Sequence, residues 1–259
     1  MQFSANLGFL FTEMPLPEAV RAAKDAGFDA VECHFPYAVP AGEVKAALDE
    51  SGLPMLGLNT VPGDLAAGDF GLAALPGREA EARAAIEQAV TYAAEIGAAN
   101  VHVMAGKTDG GAAAEETFRD NLRFACDRAA AHGIGILIEP INHRDVPGYH
   151  LSRVEHAAEI IADLGQGNLR LMFDCYHTQI MQGDLTRRIE AHLPLIGHIQ
   201  IAAVPDRGEP DAGEVNYPEL LKSIAAFGYA RPIGAEYKPR GASTAAGLGW
   251  LERFKALPA

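Results

Sequence analysis

Four short apolar runs in the second half of the chain each end in, or carry, an oxygen-bearing side chain. GILIE closes on Glu139, LRLMFD on Asp174, GHIQI carries Gln200, and PIGAE closes on Glu236. A buried polar group without a partner costs about 1–3 kcal/mol, so four such ends in succession need a reason. Three carboxylates brought together also repel one another and shift their pKa values upward. A divalent cation removes both problems, and an all-oxygen donor set favours a hard ion, Mg²⁺ or Mn²⁺, over zinc. The plainer alternative is pairing with a neighbouring cation, for which Arg144, Lys238 and Arg240 stand close in sequence to Glu139 or Glu236. His177 lies three residues after Asp174 in FDCYH, placed to contact a substrate, and His102 on the fourth apolar run is a second candidate. His198 precedes Gln200 by two residues, so it shares the same strand face at a deeper level and reads as a core histidine. His143 and His150, in NHRDVPGYH, read as rim residues. Gly106-Lys107-Thr108 looks like the end of a phosphate-binding loop, but the required upstream glycine is Val101, so a nucleotide cradle is not expected.

These side chains need a frame. Apolar runs expected as strands are Phe3–Gly8, Ala30–Cys33, Pro54–Leu58, Asn100–Met104, Gly135–Glu139, Leu169–Asp174, Gly197–Ile201 and Pro232–Glu236. Helical spacing fills Leu16–Ala26, Arg78–Ile96, Glu115–Ala131, Arg153–Leu164 and Tyr217–Phe227. The strands are apolar on both faces, as in a parallel sheet covered by helices. Eight β–α units in 259 residues predict an α/β fold, a (β/α)₈ TIM barrel in a single domain over residues 1–259. An open doubly wound sheet is the runner-up, and it lacks the G-x-G-x-x-G expected of a dinucleotide binder. In a barrel the strand ends meet at one mouth, which brings the four oxygen donors together. The long irregular segments Thr60–Gly77 and Ala202–Asn216 both follow strands and so fall on that face.

With 21 basic and 34 acidic residues the net charge is −13, which repels a phosphate backbone at long range. No run approaches the roughly 20 apolar residues of a membrane span. The N-terminus lacks a basic region followed by a long apolar run, so no signal peptide is read. Cys33, Cys126 and Cys175 are scattered and odd in number, consistent with buried thiols and a cytoplasmic setting.

The sequence resembles the hydroxypyruvate isomerase family of xylose-isomerase-like barrels. The resemblance runs from FSANLGFLFTE to TAAGLGWLERF and rests on GDLAAGDFGLAALPGREAEAR, IEPINHRDVPGYHL, FDCYHTQIMQGDL, GHIQIA, GEVNYPEL and GAEYKP, all in order. It implies one divalent metal ion, Mg²⁺ or Mn²⁺, on Glu139, Asp174, Gln200 and Glu236, with Glu139 and Glu236 as the catalytic pair. Related ketose 3-epimerases place a histidine and an arginine on the substrate, and His177 and Arg207 match those positions. The implied reaction interconverts hydroxypyruvate and 2-hydroxy-3-oxopropanoate (tartronate semialdehyde) by metal-assisted proton transfer through an enediolate. A 2-oxo-tetronate isomerase or a ketose 3-epimerase with the same metal and glutamates is the alternative. Two further rivals are a metal-dependent endonuclease for damaged DNA, against which the charge argues, and a non-catalytic sugar- or acid-binding protein. The implied partner is a small hydroxy- or oxo-acid or sugar, with neither nucleic acid nor membrane, and a homo-oligomer is left open. The chain departs from the family in Ile201-Ala202-Ala203, where IAD is frequent, and at His34, where an apolar residue is more frequent.

Overall fold

The computed structural model describes residues 1–257. The domain expected over 1–259 therefore ends on two positions outside the described residues. In chain order the elements are β1 (Phe3–Asn6), α1 (Leu16–Asp25), β2 (Ala30–Glu32), α2 (Ala41–Ser51), β3 (Leu58–Asn59), α3 (Glu79–Ile96), β4 (Asn100–His102), α4 (Ala112–Ala130), β5 (Gly135–Ile138), α5 (Val154–Leu164), β6 (Leu169–Asp174), α6 (Cys175–Met181), α7 (Leu185–His192), β7 (Ile196–Ile201), α8 (Tyr217–Ala226), β8 (Ile233–Ala235) and α9 (Gly249–Lys255). All eight strands are parallel, in the order β2-β1-β8-β7-β6-β5-β4-β3. The two ends of that order meet. Val31 bridges Met55, and the bonds Leu56 N–H to Val31 O (2.7 Å) and Asn59 N–H to His34 O (2.8 Å) carry the ladder across the seam. The sheet is thus a closed (β/α)₈ barrel, as the alternation of patterns predicts.

The helices coat the barrel because each offers it one apolar face. In α3 the buried stripe is Ala82, Ala85, Ile86, Ala89, Val90 and Ala93, mostly small residues that let the helix lie close to the strands. Trp250 of α9 is fully buried and stacks edge-on against Phe3 (5.3 Å) and Phe254 (5.5 Å) at the seat of β1. No described helix is long and apolar enough to cross a membrane. Helices α2, α6, α7 and α9 lie where no helix is read from the sequence. Three of the four have only seven to eleven residues between turn signals, too few for a clear period.

The long segment after β3 is stitched down rather than loose. Thr60 and Ala73 donate backbone N–H groups to His102 O and Met104 O, and Ala74 donates to Ala105 O. Gly71 sits at φ +114° and Gly106 at φ +100°, with their backbones in contact. A Cβ on Gly71 would lie 2.6 Å from Met104 O, and one on Gly106 would lie 2.5 Å from Gly71 O. Only glycine tolerates both the left-handed backbone and that approach.

Candidate active site

The strand ends deliver the expected side chains to one place. Asp174 is the last residue of β6, Glu139 follows β5 directly, Glu236 follows β8 directly, and all three are buried. One oxygen from each of Glu139, Asp174 and Glu236, with a ring nitrogen of His177, lies within 4.8 Å of the others. Gln200 of β7 pairs in register with Asp174, so both side chains point to the same side of the sheet.

Each donor is held by one partner and left open on the other side. Asp174 Oδ1 accepts the Tyr176 N–H at 2.7 Å and caps α6, while its Oδ2 is buried without a hydrogen-bond partner. Gln200 donates its amide to Glu32 Oε2 (3.3 Å), which fixes the amide orientation and leaves Oε1 buried and unpartnered. Glu139 Oε1 is likewise unpartnered. Glu236 differs. Its Oε1 accepts from Asn6 Nδ2 (3.0 Å) and lies 3.0 Å from His34 Nε2, and its Oε2 accepts from Arg207.

The electrostatics follow this division. Burial, Glu236 and Asp174 together raise the Glu139 carboxyl well above its ordinary value. Burial and Glu236 push Asp174 up to about 8. Glu236 is also penalised by burial, yet Arg207 and His34 hold it well below the usual carboxylate range. One guanidinium thus faces three acids. The three orphaned oxygens of Glu139, Asp174 and Gln200 are hard acceptors that a divalent cation would satisfy, so the donor set fits the expected Mg²⁺ or Mn²⁺.

His177 belongs to the cluster as a donor rather than as a ligand. The Asn142 backbone N–H (3.2 Å) and side-chain amide (2.6 Å) both address its Nδ1. The Asn142 amide is itself oriented by the Asp145 N–H on its oxygen, so it presents N–H to the ring. Nδ1 therefore keeps its lone pair and Nε2 carries the proton. That N–H lies 3.6 Å from Asp174 Oδ2 and 3.8 Å from Glu139 Oε1, facing the space between them. Burial, reinforced by Arg207, keeps the ring neutral, with a pKa lowered to about 3. His102 is buried with neither ring nitrogen hydrogen-bonded, its Nδ1 3.7 Å from Glu139 Oε2, and burial lowers it to about 3 as well.

Arg207 stands in the loop after β7 at φ +57°, its guanidinium carbon 4.9 Å from the Phe9 ring and 5.0 Å from the Tyr176 ring. Its Nη2 is spent on Glu236 and its Nε is buried without a partner. A cavity of about 210 Å³ opens over these groups, walled by Phe9, Phe35, Phe70, Met104, Ile141 and Val146. That volume is below the roughly 300–1,000 Å³ of sites for drug-sized ligands, which suits a molecule of a few carbons. A larger and more open hollow of about 470 Å³ lies beside α8 and α9, lined by the segment 210–216, far from the strand-end donors.

The sequence relative to known proteins points the same way. Residues 20–254 match the family model described as xylose isomerase-like TIM barrel. A 2-oxo-tetronate isomerase of Cupriavidus necator is 48% identical over 98% of this chain and 98% of its own length. A hydroxypyruvate isomerase of Escherichia coli is 40% identical over 98% of this chain and 100% of its own. The chain belongs to the hydroxypyruvate isomerase family. Among solved structures, one from Brucella melitensis described as AP endonuclease, family 2, superposes with a TM-score of 0.93 at 43% identity, covering 97% of this chain and 98% of that one. Within this hydroxypyruvate isomerase fold the positions of Glu139, Asp174, Gln200 and Glu236 all lie at the inner strand ends.

Several features of the site escape a reading by sequence. The cation beside Glu236 is Arg207, whereas Arg144 bonds Tyr176 and Pro205 O, and Arg240 bonds Asp206 and Glu209. Asn6 ends β1 with a polar residue, the same signal that marks the other strand ends, but its partner lies 230 positions away. His34 is accommodated because residue 8 is glycine, where a Cβ would lie 2.1 Å from the ring. His198 is buried 2.8 Å from Glu32 Oε2, in keeping with a core role. His150 is no rim residue: its side chain is 2% exposed and pairs with Glu115.

Proposed function

We propose that this protein interconverts hydroxypyruvate and 2-hydroxy-3-oxopropanoate, with Glu139 and Glu236 as the proton-transfer pair. The observation that carries the reading is the set of orphaned inward oxygens on Glu139, Asp174 and Gln200 beside a charged Glu236. Glu139, Asp174, Gln200 and Glu236 would hold one Mg²⁺ or Mn²⁺. When bound, such an ion supplies Lewis-acid polarisation of the adjacent carbonyl and hydroxyl oxygens of the substrate. Arg207 offers its free Nε–H to the substrate carboxylate, and the flanking Phe9 and Tyr176 rings keep the guanidinium plane in place. His177 Nε2–H and the unpartnered His102 ring direct the substrate oxygens. One glutamate takes the proton from the hydroxymethyl carbon and the pair returns a proton to the former carbonyl carbon, so composition is conserved. Burial of the cluster keeps bulk water from competing for these protons.

The Cupriavidus necator relative at 48% identity favours a second reading, isomerisation of a 2-oxo-tetronate at the same groups. A net charge of −13 and an aromatic-walled cavity of about 210 Å³ favour a small acid over a DNA backbone. The test is turnover of hydroxypyruvate and of 2-oxo-tetronates with Mg²⁺ or Mn²⁺, in the wild type and in Glu139→Gln and Glu236→Gln. General acid–base catalysis contributes about 10²–10⁴-fold, so each variant should lose at least that much kcat while still binding the ion. Variants that bind the ion and keep more than about a tenth of wild-type kcat reduce the glutamates to ligands. A kcat/KM at least about tenfold higher on a 2-oxo-tetronate decides for the second reading.

A further inference from the structure

A second group of metal-ligating side chains lies outside the strand-end cluster, where the β4–α4 and β5–α5 loops meet. Glu115 stands in the first turn of α4, His156 in the first turn of α5, and His150 in the loop between β5 and α5. The Nε2 atoms of both histidines converge on one carboxylate oxygen: His150 at 3.0 Å and His156 at 2.9 Å from Glu115 Oε2. Every other face of the trio is braced. Arg119 donates to the opposite oxygen, Glu115 Oε1, at 2.6 Å. His150 Nδ1 lies 2.9 Å from Thr108 Oγ1, and its backbone N–H is fixed on Gly106 O. The Phe118 ring meets the His150 ring edge-on at 5.5 Å. His156 is partly exposed and gives the trio an open side.

From this convergence we propose that Glu115, His150 and His156 form a second metal site for a single Zn²⁺-class ion, which clasps the β4–α4 loop to the β5–α5 loop. Two imidazoles and one carboxylate with an open fourth position are a donor set that zinc accepts, unlike the all-oxygen strand-end set. Zinc bonds of about 2.0–2.1 Å place tetrahedral ligand atoms about 3.3 Å apart, so the trio needs to open by only a few tenths of an ångström. Binding releases the proton that each Nε2 shares with Glu115. On His150 the remaining proton then sits on Nδ1 and donates to Thr108, the outer contact that orients a metal-bound histidine. Burial holds His150 below its ordinary pKa, which keeps it in the neutral, ligating form at pH 7.

The experiment is a Zn²⁺ titration of the chelator-stripped full chain in saturating Mg²⁺, which occupies the strand-end oxygens. Wild type, His156→Gln and Glu139→Gln are compared by competition with a chromophoric chelator. Removing an outer-shell partner already costs about 10–100-fold in affinity. Loss of the direct ligand in His156→Gln should therefore weaken one zinc equivalent at least tenfold, while Glu139→Gln keeps it. Diffraction at the zinc edge should place that ion between Glu115, His150 and His156. Equal zinc affinity in wild type and His156→Gln, or an anomalous peak confined to the strand-end carboxylates, overturns the proposal. His156→Gln should leave isomerase turnover in Mg²⁺ within about twofold, so its failure is distinguishable from failure of the proposed activity.

Discussion

Arg207→Lys separates the two tasks assigned to the arginine. The substitution keeps a positive charge and the left-handed backbone at φ +57°, so the loop after β7 suffers no new strain. A lysine ammonium retains one contact, and the nearest strong acceptor is Glu236 Oε2, where Arg207 Nη2 now binds. The second donor, the buried Nε–H, has no counterpart in lysine. A charge-assisted hydrogen bond is worth about 1.5–3 kcal/mol, which is roughly ten- to a hundredfold in affinity for a carboxylate. Loss of the planar stack between Phe9 and Tyr176 adds about 0.5–1 kcal/mol for each exposed-type cation–π contact, and acts on every ligand alike. The assay is steady-state kinetics with hydroxypyruvate, together with competitive inhibition by dihydroxyacetone, which has the same carbonyl and hydroxyl groups but no carboxylate. KM for hydroxypyruvate should rise roughly ten- to a hundredfold, and the dihydroxyacetone inhibition constant should rise severalfold at most. Equal changes in both would show that Arg207 acts only through Glu236, and the carboxylate role would be withdrawn.

Gly234→Ala should cost about 1–3 kcal/mol in chemical denaturation and weaken Mg²⁺ or Mn²⁺ binding, because the new Cβ would lie 2.3 Å from Glu32 Oε1 and 2.8 Å from Gln200 Cγ; unchanged stability and metal affinity would contradict the interior packing described. Trp250→Ala should cost about 3–5 kcal/mol. At about 2–4 °C per kcal/mol for a chain this size, Tm should fall by about 6–20 °C in calorimetry while metal affinity holds, and a fall under about 3 °C would show that Trp250 is not a keystone of the β1 seat. His34→Leu should lower kcat by no more than about tenfold, since Asn6 and Arg207 still serve both oxygens of Glu236; a loss beyond a hundredfold would place His34 in the proton transfer itself.

The barrel was legible because parallel strands covered on both faces read as apolar runs, and glycines such as Gly97 and Gly165 mark where helices stop. The donors Glu139, Asp174, Gln200 and Glu236 were legible for a related reason: each breaks an apolar run at its end. The contacts among them were not. Glu236 is partnered from positions 6, 34 and 207, three separate turns of the barrel, and no local period encodes such pairings. His150 shows the same limit in reverse. Its loop is polar and rich in turn residues, yet Phe118 and Glu115, across the neighbouring loop, draw its ring inside.

The paired glycines at 71 and 106 bear on how such an enzyme changes its diet. They lock the backbone on either side of Phe70 to the end of β4, so one wall of the cavity is set by hydrogen-bonded main chain. A wall of that kind does not swing aside for a longer acid. Adaptation to a substrate with one more carbon is therefore open to single-codon trimming of Phe70, Met104 or Leu65, while insertions or deletions in the segment would unpick its stitching. Among descendants of this scaffold, differences in substrate length should be written in side-chain bulk at those positions, with the glycines left in place.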